Sequence, residues 1–265
     1  MANWFTSWLR ALIGSLRSAN SEEGNLYRNA ANATVRIENG PSRGSGFHFL
    51  RPDIVITNRH VIVDTAVPIV AITEDGTSLL LQVLAESLPA QHDYAILKCQ
   101  APPPPGRHPL QPKVVRPFER GLQVLFAGFP HGIPHLLVQR AVVCGLISDH
   151  VFYVDGSVNG GNSGGPIIDS KDGTVIGIVT QRRFLGAQDL AQLRTAAERL
   201  RAHCLAITGR GSVEIMGIDF GAFSQLMAEG MLLIRDVLEA NANTGIGIGF
   251  SISFVREECR RMGLG

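Results

Sequence analysis

The sequence predicts a mainly β protein made of two similar halves, each a series of short strands, with a helix ahead of them and a helical hairpin spliced into the second half. Three observations carry this reading. From Ala33 to Lys98, and again from Gln123 to Ile252, apolar and β-branched residues recur in short runs broken by turn residues. The chain holds 29 glycines, which suit many turns. Hydrophobic residues make up 45% and charged residues 18%, a balance that supports a packed core and argues against disorder.

At the N-terminus, Trp4, Phe5, Trp8, Leu9, Leu12, Ile13 and Leu16 recur on one helical face, with Asn3, Ser7, Arg10 and Arg17 elsewhere. This predicts an amphipathic helix within residues 1–25, centred on 4–16, that docks on the body of the protein, on a second copy or on a protein partner. Its small positive charge disfavours a membrane-surface role. It lacks a basic leader, Arg10 interrupts the apolar run, and there is no small-x-small cleavage site, so it does not read as an export signal. No stretch of about 18 uncharged apolar residues occurs to span a bilayer. A soluble, cytoplasmic protein is expected.

The first half, 26–112, carries strand-like runs at Thr34–Ile37, Gly46–Leu50, Ile54–Thr57, Val67–Ile72, Leu79–Ala85 and Tyr94–Leu97, which suit a small closed barrel. Ala101 to Pro112 contains four consecutive prolines, which donate no N–H, and reads as a stiff linker unable to pair in a sheet. The second half, 113–265, repeats the texture at Gln123–Ala127, Leu137–Ile147, Val151–Val154, Pro166–Ile168, Val175–Thr180 and Gly247–Ile252. Between about 186 and 243 the period turns helical, with Leu190, Leu193, Ala197 and Leu200, then Phe220, Phe223, Met227, Met231, Ile234 and Leu238. A short helix ends the chain.

Some function classes drop out early. A formal net charge of +1, with no long Lys/Arg block, argues against nucleic acid as a partner. Cys99, Cys144, Cys204 and Cys259 lie far apart with no CxxC pair and read as free thiols, Cys144 as a small core hydrophobe in an apolar strand. His131 and His135 are four apart, but Gly132 and Pro134 make the segment a surface turn, so no metal site is expected. No cofactor is implied.

The chemistry concentrates in Gly160-Gly161-Asn162-Ser163-Gly164-Gly165-Pro166. Glycines permit positive φ and close approach of a substrate, so the N–H groups of Gly161 and Ser163 can converge on a developing oxyanion. A serine hydroxyl needs a base. His60 closes the apolar run Ile54 to Ile62 and would be delivered to a barrel rim. The base in turn needs a carboxylate. Asp93, just ahead of the run Tyr94-Ala95-Ile96-Leu97, fits better than Asp53 or Asp64, which flank turns without leading into a core strand.

The runs Gly44-Ser45-Gly46-Phe47, Ile56-Thr57-Asn58-Arg59-His60-Val61, Asp93 to Lys98 and Gly161 to Pro166 resemble the signature blocks of bacterial trypsin-like serine proteases, the Deg/Htr group above all, in that family's order of His, Asp, Ser. Phe126-Ala127-Gly128-Phe129-Pro130 and Gly247 to Ile252 are similar to further blocks. The resemblance implies a chymotrypsin-like double β-barrel, a protein or peptide substrate, and a triad of His60, Asp93 and Ser163. It implies S1 walls from Ser157 and Val158 before the serine and Ile248, Gly249 and Phe250 after it. None of these walls is acidic, so small to medium apolar P1 residues are expected, with Asp155 the residue able to upset this. Two departures matter. About a dozen residues follow Ser253, so no PDZ-like module is expected, and Asn162 stands where digestive trypsins carry the aspartate that pairs with a newly cut N-terminus.

Two other classes compete. Gly161 to Gly165 also fits the G-x-S-x-G of α/β-hydrolases, but here a proline and a β-type run follow the serine, and acid and base lie upstream. The other is a protease-fold scaffold whose triad is misaligned, with the N-terminal helix and the 186–243 insertion as interaction surfaces. An enzyme switched through that insertion mixes the two.

Overall fold

The structure is a computed structural model that describes residues 22–88, 92–113, 118–131, 133–184, 187–208, 213–241 and 243–265. The amphipathic helix expected at 4–16 lies outside the described residues. A helix over residues 22–33, α1, comes first, where the sequence reading began the first barrel. Ala30 and Ala33 are buried in the main core, and the Thr34 hydroxyl donates to the Ala30 carbonyl at 2.7 Å. Short, alanine-based burial of this kind leaves little apolar periodicity to read.

Strands β1 (Thr34–Asn39), β2 (Ser42–Phe49), β3 (Arg51–Thr57), β4 (Ile69–Ile72), β5 (Ser78–Glu86) and β6 (Ala95–Cys99) close into a barrel in the order β1-β2-β3-β6-β5-β4. A second barrel starts with β7 (Gln123–Gly128), β8 (Leu137–Ser148), β9 (Val151–Asp155), β10 (Pro166–Asp169) and β11 (Val175–Phe184). The chain then leaves the barrel for α2 (Ala187–Thr208), β12 (Glu214–Ile215), β13 (Ile218–Asp219) and α3 (Phe220–Asn241). It returns as β14 (Asn243–Ser251), which closes the order β10-β11-β14-β9-β8-β7, and ends in α4 (Ser253–Arg261). The protein is therefore mainly β, with two closed six-stranded barrels.

Burial explains why several strands are apolar on consecutive residues. In β3, Val55 points into the first barrel's interior cluster while Ile54 and Ile56 join a different cluster. In β6, Ala95 and Leu97 do the former and Ile96 the latter. In β10, Ile167 fills the second barrel and Ile168 faces away from it. The outward residues meet: Phe47, Phe49, Ile54, Ile56 and Ile96 from one barrel pack with Leu125, Ile168, Val175 and Ile178 from the other. Strands at this joint are buried on both faces and lose the in/out alternation of a half-exposed strand.

The proline-rich segment is better anchored than its sequence suggests. Leu110 N–H donates to the His48 carbonyl at 2.9 Å, and Leu50 N–H donates back to Leu110 at 3.0 Å. Lys113 N–H donates to Val175 at 2.8 Å, and Val175 N–H donates to Gln111 at 2.8 Å. The non-proline residues that follow the proline run supply the donors the prolines lack. Lys113 Nζ also reaches the buried Asp169 carboxylate at 2.5 Å and Asp172 at 2.6 Å, tying the segment to the second barrel.

By contact density the chain forms two compact units, one of Met1–Gln181 with Ile246–Gly265, the other Arg182–Gly245. Within the second unit, α2 and α3 form a helical hairpin whose connection carries the small β12-β13 ribbon, turned by Met216 and Gly217 at positive φ. Cys144 departs from its core assignment. It is exposed, because the register between β8 and β9 shifts between Val143 and Gly145 and a bulged residue turns its side chain outward. Among the described residues, no helix is long and apolar enough to cross a membrane.

Because one cluster joins the barrels, Phe49→Ala should destabilise both together by about 3–5 kcal/mol. Urea unfolding followed by far-UV and near-UV circular dichroism should give one shifted transition; two separated transitions would contradict a shared core.

Candidate active site

Antiparallel pairing brings the first two candidate residues to one rim. Thr57 at the end of β3 lies opposite Ala95 at the start of β6. His60, three residues beyond Thr57 in a 3-10 turn (Arg59–Val61), and Asp93, two before Ala95, therefore leave the barrel at the same end. His60 Nδ1 lies 2.8 Å from Asp93 Oδ2, and the His60 backbone N–H donates to Oδ1 at 3.1 Å. An ionised carboxylate has no proton to give, so this pair places the imidazole proton on Nδ1 and leaves Nε2 with its lone pair.

Asp93 is held at φ +47, a left-handed conformation uncommon outside glycine. Its carbonyl accepts from Asn58 Nδ2 at 2.8 Å and from Arg59 N–H at 3.3 Å, which fixes this conformation. Burial by itself would push the Asp93 carboxyl up. Hydrogen bonds from the His60 and Thr180 side chains outweigh that, and the carboxyl sits below its ordinary range.

The second barrel brings up the serine in the same way. Pro166 at the start of β10 lies opposite Ile178 in β11, so Ser163, three residues before Pro166, and Thr180, two after Ile178, share a rim. Thr180 was not singled out from sequence. Its hydroxyl donates to Asp93 Oδ2 at 2.5 Å, and its carbonyl accepts the Ser163 hydroxyl at 3.1 Å. One residue thus touches both the acid and the serine. Ser163 Oγ is directed at this carbonyl, and no hydrogen bond joins it to His60.

The glycine loop is pinned through its carbonyl oxygens. Gly160 O accepts from His131 N–H at 2.7 Å, and Asn162 O accepts from Gly165 N–H at 2.9 Å. Across a trans peptide, C=O and N–H point in opposite directions. The N–H groups of Gly161 and Ser163 therefore face away from these contacts, and neither donates a hydrogen bond among the described residues. Gly161 adopts φ +94, and a Cβ there would lie 2.3 Å from the Phe129 carbonyl oxygen, so only glycine fits. His131, read from sequence as part of a surface turn, backs directly onto this loop.

Of the residues expected to wall a pocket, Ser157 is exposed and Phe250 half-buried. Val158, Ile248 and Gly249 are buried. Val158 packs in the second barrel's core, and a Cβ on Gly247 would come within 2.4 Å of its Cγ2. A Cβ on Gly249 would meet Ile167 and Phe152. A cavity of about 740 Å³ lies elsewhere, lined by α1 and by residues 108–111, and contains none of His60, Asp93 or Ser163.

A family model described as a trypsin-like peptidase domain matches residues 44–178. Over 149 residues, 52% of this chain, the sequence is 32% identical to the chloroplastic Protease Do-like 1 of Arabidopsis thaliana, covering 32% of that protein. A serine endoprotease from Yersinia pestis aligns with a TM-score of 0.54 at 25% identity, covering 61% of this chain and 58% of that one. Deg5 aligns with a TM-score of 0.50 at 26% identity, covering 62% of this chain and 86% of its own. The chain thus spans about a third of the length of the curated relative it matches. Since the matched model runs from the GSGF segment of β2 through the serine loop into β11 and takes in half of the sequence, the chain belongs to the trypsin-like peptidase domain family.

Proposed function

We propose that this protein is a serine endopeptidase in which Ser163 is the nucleophile, His60 the general base and then acid, Asp93 the group that orients His60, and the N–H groups of Gly161 and Ser163 the oxyanion hole. The observation that carries the reading is the convergence of a Nδ1-protonated His60, bonded to an ionised Asp93, with a serine flanked by two undirected backbone N–H groups. Family membership supports it. Ser163 Oγ attacks the scissile carbonyl carbon while its proton passes to His60 Nε2, and the carbonyl oxygen becomes an oxyanion between the two N–H groups. Collapse expels the amine, which takes the proton from Nε2 and leaves an acyl-serine. Water, deprotonated by the same nitrogen, attacks the acyl carbon, and collapse breaks the bond to Ser163 Oγ, which takes the proton back from Nε2 as the carboxylic acid product leaves. Removing one oxyanion donor typically costs about 3 kcal/mol in such a site.

In the resting arrangement the Ser163 hydroxyl must turn from the Thr180 carbonyl to His60. Catalytic hydrogen bonds in unliganded enzymes are often made only when substrate is bound. The same observation favours a second reading, a protease-fold scaffold that never makes the turn. We also assign a preference for small to medium apolar P1 residues, with Ser157, Val158, Ile248, Gly249 and Phe250 as the S1 walls. Val158 seated against Gly247 supports a shallow pocket, and none of the five walls carries an acid to receive Lys or Arg.

The insertion is read as a regulatory or partner-binding element. β11, which carries Thr180, is the strand that precedes α2 in sequence, and α3 leaves Phe223, Leu226 and Leu233 exposed, a surface suited to a protein partner or a second copy.

A fluorophosphonate probe should label the wild type and not Ser163→Ala; absence of labelling in the wild type under any condition that preserves the fold favours the scaffold. Digestion of a complex peptide library should place Val, Ala, Leu or Thr before the cut, and faster cleavage after Arg than after Val would overturn the pocket assignment. Thr180→Val should lower kcat about tenfold with KM held, the loss of one hydrogen bond to a charged group. It should also raise the Asp93 carboxyl, followed by carboxyl-carbon NMR. Since folding lowers that group, its stabilisation is complete above the ordinary carboxylate range near pH 4 and is lost as pH falls through the folded value. Thr180→Val should therefore flatten the acid limb of the stability curve measured by urea unfolding. Replacing residues 186–243 by a short glycine-serine turn should change turnover of peptides or proteins; identical rates on both would remove the regulatory role.

A further inference from the structure

We propose that Ser45 is a positioning residue for the oxyanion hole, an inference that rests on the endopeptidase reading. Ser45 belongs to the first barrel, in β2, yet its bonds are made to the serine loop of the second. Its backbone N–H donates to the Ser163 carbonyl at 2.7 Å. Its hydroxyl donates to the Gly161 carbonyl at 2.7 Å and accepts from Phe129 N–H at 2.9 Å. Its own carbonyl accepts the Thr57 hydroxyl at 2.6 Å. The residue is fully buried.

The direction of these bonds is not open to choice. A carbonyl oxygen can only accept and a backbone N–H can only donate, so the one hydroxyl proton is committed to Gly161 and a lone pair to Phe129. Ser45 therefore fixes the Gly161–Asn162 and Ser163–Gly164 peptides. These alternate with the two peptides that present the Gly161 and Ser163 N–H groups, which are pinned by His131 and Gly165. Neighbouring glycines keep room for the arrangement: a Cβ on Gly128 would stand 2.8 Å from Ser45 Oγ, and one on Gly164 would stand 2.1 Å from the Ser45 carbonyl oxygen.

Without the hydroxyl, the Gly161 carbonyl and the Phe129 N–H lose a shared buried partner. Two groups left unsatisfied in the core favour rotation of the peptide that carries one of them. Gly161 has the conformational freedom to rotate, and an oxyanion donor displaced from its target stops contributing to the transition state. The ground-state substrate, held along its length, is affected far less.

The test compares wild type with Ser45→Ala, with Ser45→Cys, which puts a slightly larger, weakly donating thiol in place of the hydroxyl, and with Thr34→Val, which removes a buried hydroxyl bond to Ala30 in which the serine loop takes no part. Steady-state kinetics on a peptide the wild type cleaves are paired with affinity for a peptide boronic acid, whose tetrahedral adduct places an oxygen in the oxyanion hole, and for the cleaved product peptide. For Ser45→Ala, kcat and boronate affinity should fall together by about 10- to 100-fold, with KM and product affinity within about twofold. Ser45→Cys should lose kcat in the same sense, and it carries the test if Ser45→Ala does not fold. Thr34→Val should lose thermal stability while keeping wild-type kcat. Unchanged kcat in a folded Ser45 variant, a loss confined to KM, or an equal kcat loss in Thr34→Val would each overturn the inference while leaving the endopeptidase reading intact. A wild type that neither turns over peptide nor reacts with a fluorophosphonate would overturn both.

Discussion

A closed barrel has spent its strand edges on itself, so two barrels can be joined only through outward side chains and through loops at their rims. Here the outward side chains make a continuous apolar core, and the rim contacts include the bond from Ser45 N–H to the Ser163 carbonyl, the Ser45 hydroxyl on Gly161 and the Thr180 hydroxyl on Asp93. The site depends on this joint. Under the proposed function, the base and its carboxylate come from the first barrel, and the serine with the two N–H groups that donate to no described residue comes from the second. A shift of either barrel by an ångström would separate groups that must act within hydrogen-bond reach. The anchored segment at 107–113 restrains the same joint, since Leu110 pairs with the first barrel and Lys113 with the second.

The electrostatics follow from which groups the rim leaves unpaired. Burying the Asp93 carboxyl disfavours its charged form, and an acid left in that state would make a poor partner for an imidazolium. The Thr180 hydroxyl, the His60 ring and the His60 backbone N–H all donate to it and reverse the effect. Separate bonds, from Asn58 Nδ2 and Arg59 N–H to its carbonyl, hold Asp93 at a positive φ that a free chain would leave. Thr180 sits where the two barrels' contributions meet, bonded through its hydroxyl to the acid and through its carbonyl to the serine.

Much of this was legible in the sequence because the physical signals were local. Period-2 and all-apolar runs marked nearly every strand, the change to a helical period marked α2 and α3, and the glycine density around Ser163 marked a tight loop with positive φ. What escaped was carried by small buried polar residues whose partners are distant in the chain. Ser45 and Thr180 look like ordinary strand residues until the barrels are closed; His131 is the exposed turn residue the sequence suggests, and only its backbone bond to Gly160 went unseen. The fully buried residues of α1 are alanines, which hardly mark a hydrophobic face, with Leu26 and Tyr27 only partly buried beside them. Cys144 misled for the opposite reason: it sits in an apolar run, but a bulge inverts its facing, and a bulge leaves no mark in composition.

The position of the Ser163 hydroxyl bears on how far the resting site stands from competence. Turning it from the Thr180 carbonyl to His60 exchanges one neutral hydrogen bond for another, and a typical bond of this kind contributes about 1 kcal/mol net. Rotation about a single side-chain torsion between staggered wells is fast. The backbone on which the oxyanion site depends needs no comparable change, because the carbonyls of Gly160, Gly161, Asn162 and Ser163 are already committed to partners on the side away from their N–H groups. Under the proposed mechanism the costly part of the assembly, a glycine loop whose Gly161 and Ser163 N–H groups donate to no described residue, is therefore built in by folding. What is left to the arrival of substrate is the inexpensive part, one hydroxyl changing its acceptor.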